Sequence, residues 1–258
     1  AIVEQLTGKR PKLYVDVRQL LEDPDVDVVS TATPNHWHAL ITIWACQAGK
    51  DVYVEKPACW SFYEGEKMVE AARKYNRIVQ VGHQTRSDPI TRNAIQRARA
   101  GEIGEIYMVR GLCYKPRGPI GFQKDTDPPP WLHWELWQGP AERRPFNPNY
   151  VHYNWHWFWN YGNGDIGNQG VHQMDIGRWF LGKGLPVKVH SVGGRYGYKD
   201  QGETPNTQVA TFEYEDGKLL VFEVRGLYTN DEQGAKIGNL VYGSLGYMSS
   251  GDGYKARR

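Results

Sequence analysis

The sequence predicts an α/β protein in which an incomplete, doubly wound parallel sheet precedes an α+β domain with a mainly antiparallel sheet. Short apolar runs alternate with helical patterns over the first hundred residues, which is typical of parallel strands joined by crossover helices. The pattern changes near Gly104, and Asp216–Gly217 then forms a hairpin signal between two strand-like segments. We therefore expect two domains, residues 1–103 and residues 104–258.

In the first domain, helix signals separate three predicted strands. Asp16 with Gln19, and Ser61 with Glu64, form capping-box patterns, while Asn35 is the predicted N-cap of the helix between them. A last helix is predicted from Pro89 to Ala100. The predicted strands are Val26–Thr31, Asp51–Val54 and Ile78–Val81.

In the second domain, a loop region rich in proline and tryptophan, Pro116–Pro148, follows the first predicted strand. One helix is predicted from Gly170 to Leu181. The predicted strands are Ile106–Cys113, Val187–Val192, Gln208–Tyr214, Leu219–Val224 and Ile237–Tyr242.

Composition excludes several classes of protein. The 31 Lys+Arg and 29 Asp+Glu residues are interspersed, which argues against a nucleic-acid partner. No apolar run reaches the roughly 20 residues that a membrane-spanning helix needs. Cys46, Cys59 and Cys113 are widely spaced and are expected to be small buried hydrophobes.

Polar clusters follow each predicted strand of the first domain, namely Thr31–His38, Glu55–Pro57 and Gly82–Arg86. Ligands of open parallel sheets bind at the carboxyl ends of the strands. Lys56, beside Glu55 and held by Pro57, is therefore placed to hydrogen-bond a substrate hydroxyl or to stabilise an alkoxide. An isolated Lys at a strand end is more often a solvated residue, but the convergence of three polar ends favours a site.

The segments ATPNHWHA (residues 32–39), VYVEKP (52–57) and NGDIGNQGVHQMD (163–175) resemble the Gfo/Idh/MocA oxidoreductases, related to glucose–fructose oxidoreductase and inositol dehydrogenase. The resemblance covers nearly the whole chain. It implies a Rossmann domain that binds NAD or NADP, a sugar or polyol substrate, and a homo-oligomer formed through the open sheet of the second domain.

The same resemblance assigns residues to roles. Lys56 and His172 match the catalytic pair. Asn168 stands where the family usually has Asp, so either Asp165 supplies the carboxylate or no carboxylate orients His172. Expected substrate contacts are Lys56, Trp155, His156, Asn168 and His172. Expected cofactor contacts, with Gln84 added from the third strand end, are Thr33, Pro34, Asn35, His38, Glu55, Lys56, Pro57 and Gln84.

The family opens with a strand, a Gly-rich turn and an acidic residue that holds the adenosine ribose, and none of these precedes the segments above. We expect the chain to lack this first unit and, on its own, to bind cofactor poorly, because pyrophosphate sits on the helix that follows the turn. The choice between NAD and NADP depends on that unit. A cytoplasmic location is expected, with export to the periplasm left open.

Three further patterns have competing interpretations. Gly162-x-Gly164-x-x-Gly167 matches a dinucleotide fingerprint by letters, but no strand precedes it, which favours a flexible turn that brings Asp165, Asn168 and His172 to a substrate. The histidines show no metal-ligand spacing, so no metal is expected. Six tryptophans between Trp131 and Trp159 either build a core or form a wall on which sugar rings stack.

Two alternatives to a sugar dehydrogenase stay open. One is a glycoside-processing enzyme that oxidises a sugar carbon transiently and returns the hydride, with no net cofactor turnover. The other is a non-catalytic carbohydrate-binding or assembly module.

Overall fold

A computed structural model describes residues 2–258, and Ala1 lies outside the described residues. The chain forms two sheets. The first has three parallel strands in the order β1-β2-β3, which confirms the parallel sheet that the sequence predicts. Its strands are β1 (Val28–Thr31), β2 (Asp51–Val54) and β3 (Val79–Val81).

Of the five α-helices that the structure describes in this half, α1 was not predicted and the other four follow the predicted order. The five are α1 (Ile2–Thr7), α2 (Val17–Glu22), α3 (Asn35–Gln47), α4 (Phe62–Lys74) and α5 (Pro89–Arg99). The Ser61–Glu64 capping box is present at the start of α4. Asn35 is not the N-cap of α3, because Pro34 precedes the first turn and the Asn35 amide donates instead to Asn163 Oδ1 at 3.3 Å.

The second sheet has seven strands in the order β10-β9-β8-β4-β7-β6-β5. All neighbours are antiparallel except β4 and β7, which run parallel, so the prediction of a mainly antiparallel sheet is confirmed. The strands are β4 (Ile106–Cys113), β5 (Lys188–Gly194), β6 (Thr207–Glu213), β7 (Leu219–Arg225), β8 (Ile237–Gly243), β9 (Gly246–Ser249) and β10 (Ala256–Arg257).

Two helices complete the second half, α6 (Trp134–Gln138) and α7 (Val171–Leu181). The sequence analysis missed α6 because its one turn lies within the region interpreted as a loop. A π-helical turn, Ile166–Gly170, leads into α7, so that Gly170, the predicted first residue of the helix, is the last residue of this turn. Within residues 2–258, no helix is long and apolar enough to cross a membrane.

Helix α7 packs on one face of the second sheet and connects the two halves of the molecule. Ile176 and Phe180 of α7 are buried with Val109 and Leu220 of the sheet, and α5 adds Ile95 to the same core. The domain boundary between residues 103 and 104 stays a prediction. Because α5 and α7 share a core, the strand ends of the first sheet are held at a fixed distance from the start of α7.

Gly170, which precedes α7, tests this packing. A Cβ at Gly170 would lie 2.6 Å from Cε1 of Phe222, whose side chain is fully buried. We expect Gly170→Ala to lower the free energy of unfolding by about 1–3 kcal/mol, since an overpacked core must shift. Denaturant unfolding measures this change. Gly184→Ala is the matched control, because nothing lies within 4 Å of its Cβ position, and an equal loss in both variants would contradict the account.

Candidate active site

The site lies where the carboxyl ends of β2 and β3 meet the π-helical turn before α7. Lys56 follows β2 directly, and its Nζ donates to the backbone oxygen of Asn168 at 2.7 Å and to Asn168 Oδ1 at 3.1 Å. His172 stands one turn further along the chain, at the start of α7. The positive charge of Lys56 acts on His172, because it lowers the pKa of that imidazole. Lys56 and His172 therefore lie close enough for their charges to interact, and the region between them is called the crevice below.

The Lys56 amine has a donor left for a ligand. An ammonium group has three N–H donors, and Asn168 accepts two of them. Burial lowers the pKa of Lys56, while the charges of Glu55 and Asp165 oppose that shift. The amine is thus held by one residue, half-buried, and able to donate a third hydrogen bond into the crevice.

His172 is suited to accept a proton. Burial lowers the pKa of its imidazole below 6.5, and the charges of Lys56 and His83 lower it further, whereas Glu55 and Asp175 raise it. The neutral form is therefore the main form at pH 7. Its Nδ1 is buried without a hydrogen-bond partner in the structure.

The carboxylate of Asp165, a predicted catalytic residue, is paired with Arg117. Its two carboxylate oxygens accept hydrogen bonds from Nε and Nη2 of Arg117, at 3.1 and 2.7 Å, and its side chain is almost fully buried. Arg117 also lies over the ring of Trp157. Asp165 influences the Lys56 amine through its charge, but its contacts fix the segment before α7 instead of orienting His172.

Removing the charge of Asp165 from its ion pair with Arg117 is expected to lower the stability of the fold. Asp165→Asn leaves the buried Arg117 guanidinium without its counter-charge, so we expect the free energy of unfolding to fall by roughly 3–5 kcal/mol. Asp216→Asn, which removes the partner of Lys183 in a much more exposed pair, should cost less than about 1 kcal/mol. Urea unfolding of both variants checks the difference. Equal small losses would show that Asp165 has no such role.

The glycines of the Gly162-x-Gly164-x-x-Gly167 stretch serve close packing. A Cβ on Gly162 would lie 2.7 Å from the His156 backbone, and a Cβ on Gly167 would lie 2.5 Å from Asn163 Cβ. Gly164 has φ of +63°, a conformation that favours glycine. The segment follows turns and not a strand, so no βαβ unit surrounds it. The prediction of a flexible turn is corrected to a tightly packed one.

The predicted cofactor residues divide into two groups. Thr33 and Pro34 line a cavity of about 340 Å³ whose other walls include Trp37, Trp131 and Trp137. Glu55 lies at the end of β2, where Oε1 accepts from Gln84 Nε2 at 2.5 Å and Oε2 accepts from the Lys56 backbone N–H at 3.2 Å. The cavity does not include Lys56 or His172.

His38 and Asn35 are not placed on an open surface. His38 is buried, and its two ring nitrogens lie 2.7 Å from the backbone oxygens of Pro57 and Thr33. It therefore joins the segments that follow β1 and β2, and it supports the crevice from beneath. The buried Asn35 amide joins the first turn of α3 to Asn163.

Most of the tryptophan-rich region is core. Trp134, Tyr150, Phe158 and Tyr161 are buried together, and Trp134 stacks on Trp137 with ring centroids 4.9 Å apart. Trp155 stacks on His156 at 3.6 Å, and His156 is close enough for the Lys56 charge to lower its pKa, although burial is the main cause of its shift to about 4. Trp155 and His156 thus border the Lys56 side of the crevice. Trp131 and Trp159 are exposed.

Two further residues near His172 were not assigned a role from the sequence, where His83 stood in a polar cluster and Asp175 ended the segment 163–175. His83, after β3, lies edge-to-face against His172 with ring centroids 6.2 Å apart. Asp175, one turn after His172, accepts two hydrogen bonds from Arg86. The i, i+3 spacing of His172 and Asp175 was the available signal, since such residues share a helix face. Among residues 2–258, no three His, Cys, Asp or Glu side chains group as a metal site would require.

Comparison with known proteins identifies relatives for both halves. Residues 3–83 match the model of an oxidoreductase family with an NAD-binding Rossmann fold, and residues 120–239 match its C-terminal α/β domain. Levoglucosan dehydrogenase of Pseudarthrobacter phenanthrenivorans is 29% identical over 65% of this chain and 36% of its own length. The scyllo-inositol 2-dehydrogenase (NAD(+)) of Bacillus subtilis is 31% identical over 69% of this chain and 41% of its own length.

The solved structure of the WlbA dehydrogenase from Bordetella pertussis, in complex with NADH and UDP-GlcNAcA, has a TM-score of 0.70 at 22% identity. The match covers 96% of this chain and 61% of that one, and it confirms the fold. The chain thus spans about two fifths of the length of the two curated relatives above. Because the two family models match most of its residues, one in each half, the chain belongs to the Gfo/Idh/MocA family of oxidoreductases.

Proposed function

We propose that the protein transfers hydride between NAD or NADP and a hydroxyl-bearing carbon of a sugar or polyol. The observation that supports this proposal is a half-buried amine with one free donor, whose charge acts on an imidazole of lowered pKa. The named activities of the two curated relatives, on levoglucosan and on scyllo-inositol, support the substrate class.

Three residues of the chain have separate roles in the proposed reaction. Lys56 donates its third N–H to the substrate oxygen, which orients the carbinol and stabilises negative charge as it develops there. His172 accepts the hydroxyl proton. Asn168 holds the amine in place through its two acceptor oxygens. A nicotinamide ring, when bound, supplies the hydride acceptor for the oxidation.

The residues around Thr33 and Pro34 fit one side of such a cofactor. The lining of the cavity beside them includes three tryptophans, whose flat apolar rings suit an aromatic ring. Thr33 and Pro34 would border the nicotinamide ring on the side of this cavity. Glu55, Pro57 and Gln84 would border the same ring on the side near Lys56. This part of the chain supplies no Gly-rich turn before a helix for the pyrophosphate.

His156 and Trp155 are proposed to form a wall against the substrate. Stacked rings offer an apolar face to the C–H face of a sugar, and Lys56 stands beside them. Trp155→Ala should raise the KM for the substrate more than it lowers kcat, because a stacking wall binds the substrate and the transition state alike.

A homo-oligomer and a cytoplasmic location belong to the same proposal. One face of the second sheet is left without helices, and Val192 and Val209 are exposed on it, which suits contact with a second copy. Val192→Asp should then reduce the particle size in light scattering, and an unchanged size would contradict this interface. All three cysteines are free thiols, which fits a reducing compartment.

The direct test incubates the full-length gene product with NAD⁺ or NADP⁺ and a panel of sugars and cyclic polyols. Appearance of reduced cofactor with one of them is the expected result. Turnover of a glycoside without reduced cofactor would favour the redox-neutral enzyme. No heat of cofactor binding in calorimetry would favour the carbohydrate-binding module.

A further inference from the structure

His83 and His172 contact each other beside the crevice, and no hydrogen bond of the fold accounts for the buried Nδ1 of either ring. His83 and His172 lie edge-to-face, with their ring planes at 89°. In each ring Nδ1 is buried without a hydrogen-bond partner in the structure. An unpaired buried polar atom costs free energy, so two of them in one pair call for a reason.

The position of His83 is fixed from both sides. Its backbone N–H donates to the Val81 oxygen at 2.8 Å, and its own carbonyl accepts from the Arg86 N–H at 3.0 Å. Gly82, immediately before it, is packed so closely that a Cβ would lie 2.9 Å from Glu55 Oε1. The strand end therefore presents the His83 ring to His172 with little freedom of the backbone.

His83 also lies near a carboxylate that is itself held in place. Asp175 Oδ2 lies 3.9 Å from His83 Nδ1. Arg86 donates from Nε and Nη2 to the two Asp175 oxygens, at 2.6 and 2.7 Å, and its guanidinium lies over the Trp179 ring. His83 thus contacts His172 and lies near Asp175, which is bound by Arg86.

This arrangement stands where the family's usual carboxylate is absent. Asn168 carries no charge, and Asp165 is bound by Arg117. The charged and titratable groups that act on the His172 imidazole are Lys56, Glu55, His83 and Asp175. Glu55 is engaged by Gln84 and by the Lys56 backbone, and Asp175 is engaged by Arg86, whereas Nδ1 of His83 has no hydrogen-bond partner in the structure.

We propose that His83 is a second proton-handling residue, which takes the substrate's hydroxyl proton from His172 and releases it to solvent. This inference rests on the proposed function. In the oxidation, the carbinol carbon loses hydride to the nicotinamide and the oxygen loses its proton to His172. The proton passes to His83 and leaves through that part of its side chain, 26% of its surface, which is exposed. His172 is then neutral again for the next turnover.

The test compares His83→Ala and His83→Phe with the wild-type full-length protein. We expect kcat for polyol oxidation to fall by at least about tenfold in both, with KM changed less than about twofold, because proton removal and not binding is impaired. Added imidazole should restore kcat in His83→Ala, whose cavity admits it, and should leave the wild type and Lys56→Met unchanged. A kcat within twofold of wild type, or a loss that imidazole does not restore, would overturn the proposal.

A second readout does not depend on turnover. In protein labelled at its 8 histidines, NMR titration follows the ring signal of His172 in wild type and in His83→Phe. Removing the His83 charge should raise the pKa of His172, and an unchanged midpoint would overturn the pairing. If the wild-type protein oxidises no polyol or sugar, the proposed function fails, and this titration still decides whether the two rings are coupled.

Discussion

Replacing Lys56 by methionine is expected to lower kcat/KM for polyol oxidation by roughly 10²–10³-fold, the usual effect of losing one preorganised donor to a developing oxyanion. Methionine keeps the apolar stem and removes the amine that donates to Asn168 and, in our proposal, to the substrate. Lys56→Arg should not restore activity, because a planar guanidinium cannot donate to Asn168 and the substrate in the same geometry. Steady-state kinetics measures the loss.

The control for this prediction is Lys74→Met. Lys74 lies in the last turn of α4, exposed and remote from the carboxyl ends of the strands. Its replacement should leave kcat/KM unchanged. If Lys56→Met kept more than about a third of wild-type activity, Lys56 would have no part in the reaction.

The second large effect is expected at His172. His172→Asn removes the proton acceptor, and loss of a general base costs roughly 10²–10⁴-fold in rate. Binding of NAD(P) to this variant should change little, because the imidazole acts on the substrate hydroxyl. Calorimetry with the cofactor and kinetics with the substrate separate the two. A variant that lost both equally would indicate a structural role for His172.

The pH dependence provides a sharper form of this prediction. Oxidation needs neutral His172, so kcat/KM should fall as the pH drops through the lowered pKa of this imidazole, below 6.5. Glu55→Gln removes a charge that raises that pKa and should move the acid limb to lower pH. Lys56→Met removes a charge that lowers it, so the residual activity should show its acid limb at higher pH. Shifts in the opposite directions would contradict the assignment of the base.

Much of the fold could be predicted because its signals are local. The Ser61–Glu64 capping box begins α4 as the sequence indicates, and Gly217 has the positive φ that the hairpin between β6 and β7 requires. The short elements β9, β10 and α6 were not predicted, because such short segments show no clear periodicity. The first turn of α3 was misplaced by one residue, since Pro34 fits before a helix as well as Asn35 does.

The candidate site could be predicted in part, for a physical reason. Residues after parallel strands meet at one edge, which placed Lys56, Glu55 and Gln84 correctly relative to one another. Contacts that depend on tertiary packing could not be predicted from the sequence. Arg117, 48 residues before Asp165, binds the carboxylate that was expected to orient His172. His83 was noted only as part of a polar cluster, because its contact with His172 depends on how α7 packs.

The central claim is that Lys56 and His172 serve hydride transfer at a carbon that bears a hydroxyl. Deuterium placed on that carbon of a substrate polyol reports this step directly, by mass spectrometry of the nicotinamide cofactor after incubation with the full-length protein. The account predicts deuterium on the cofactor with wild-type protein and nearly none with Lys56→Met or His172→Asn. Cofactor that stays unlabelled with every polyol and sugar tested, or labelling that persists in both variants, would contradict it.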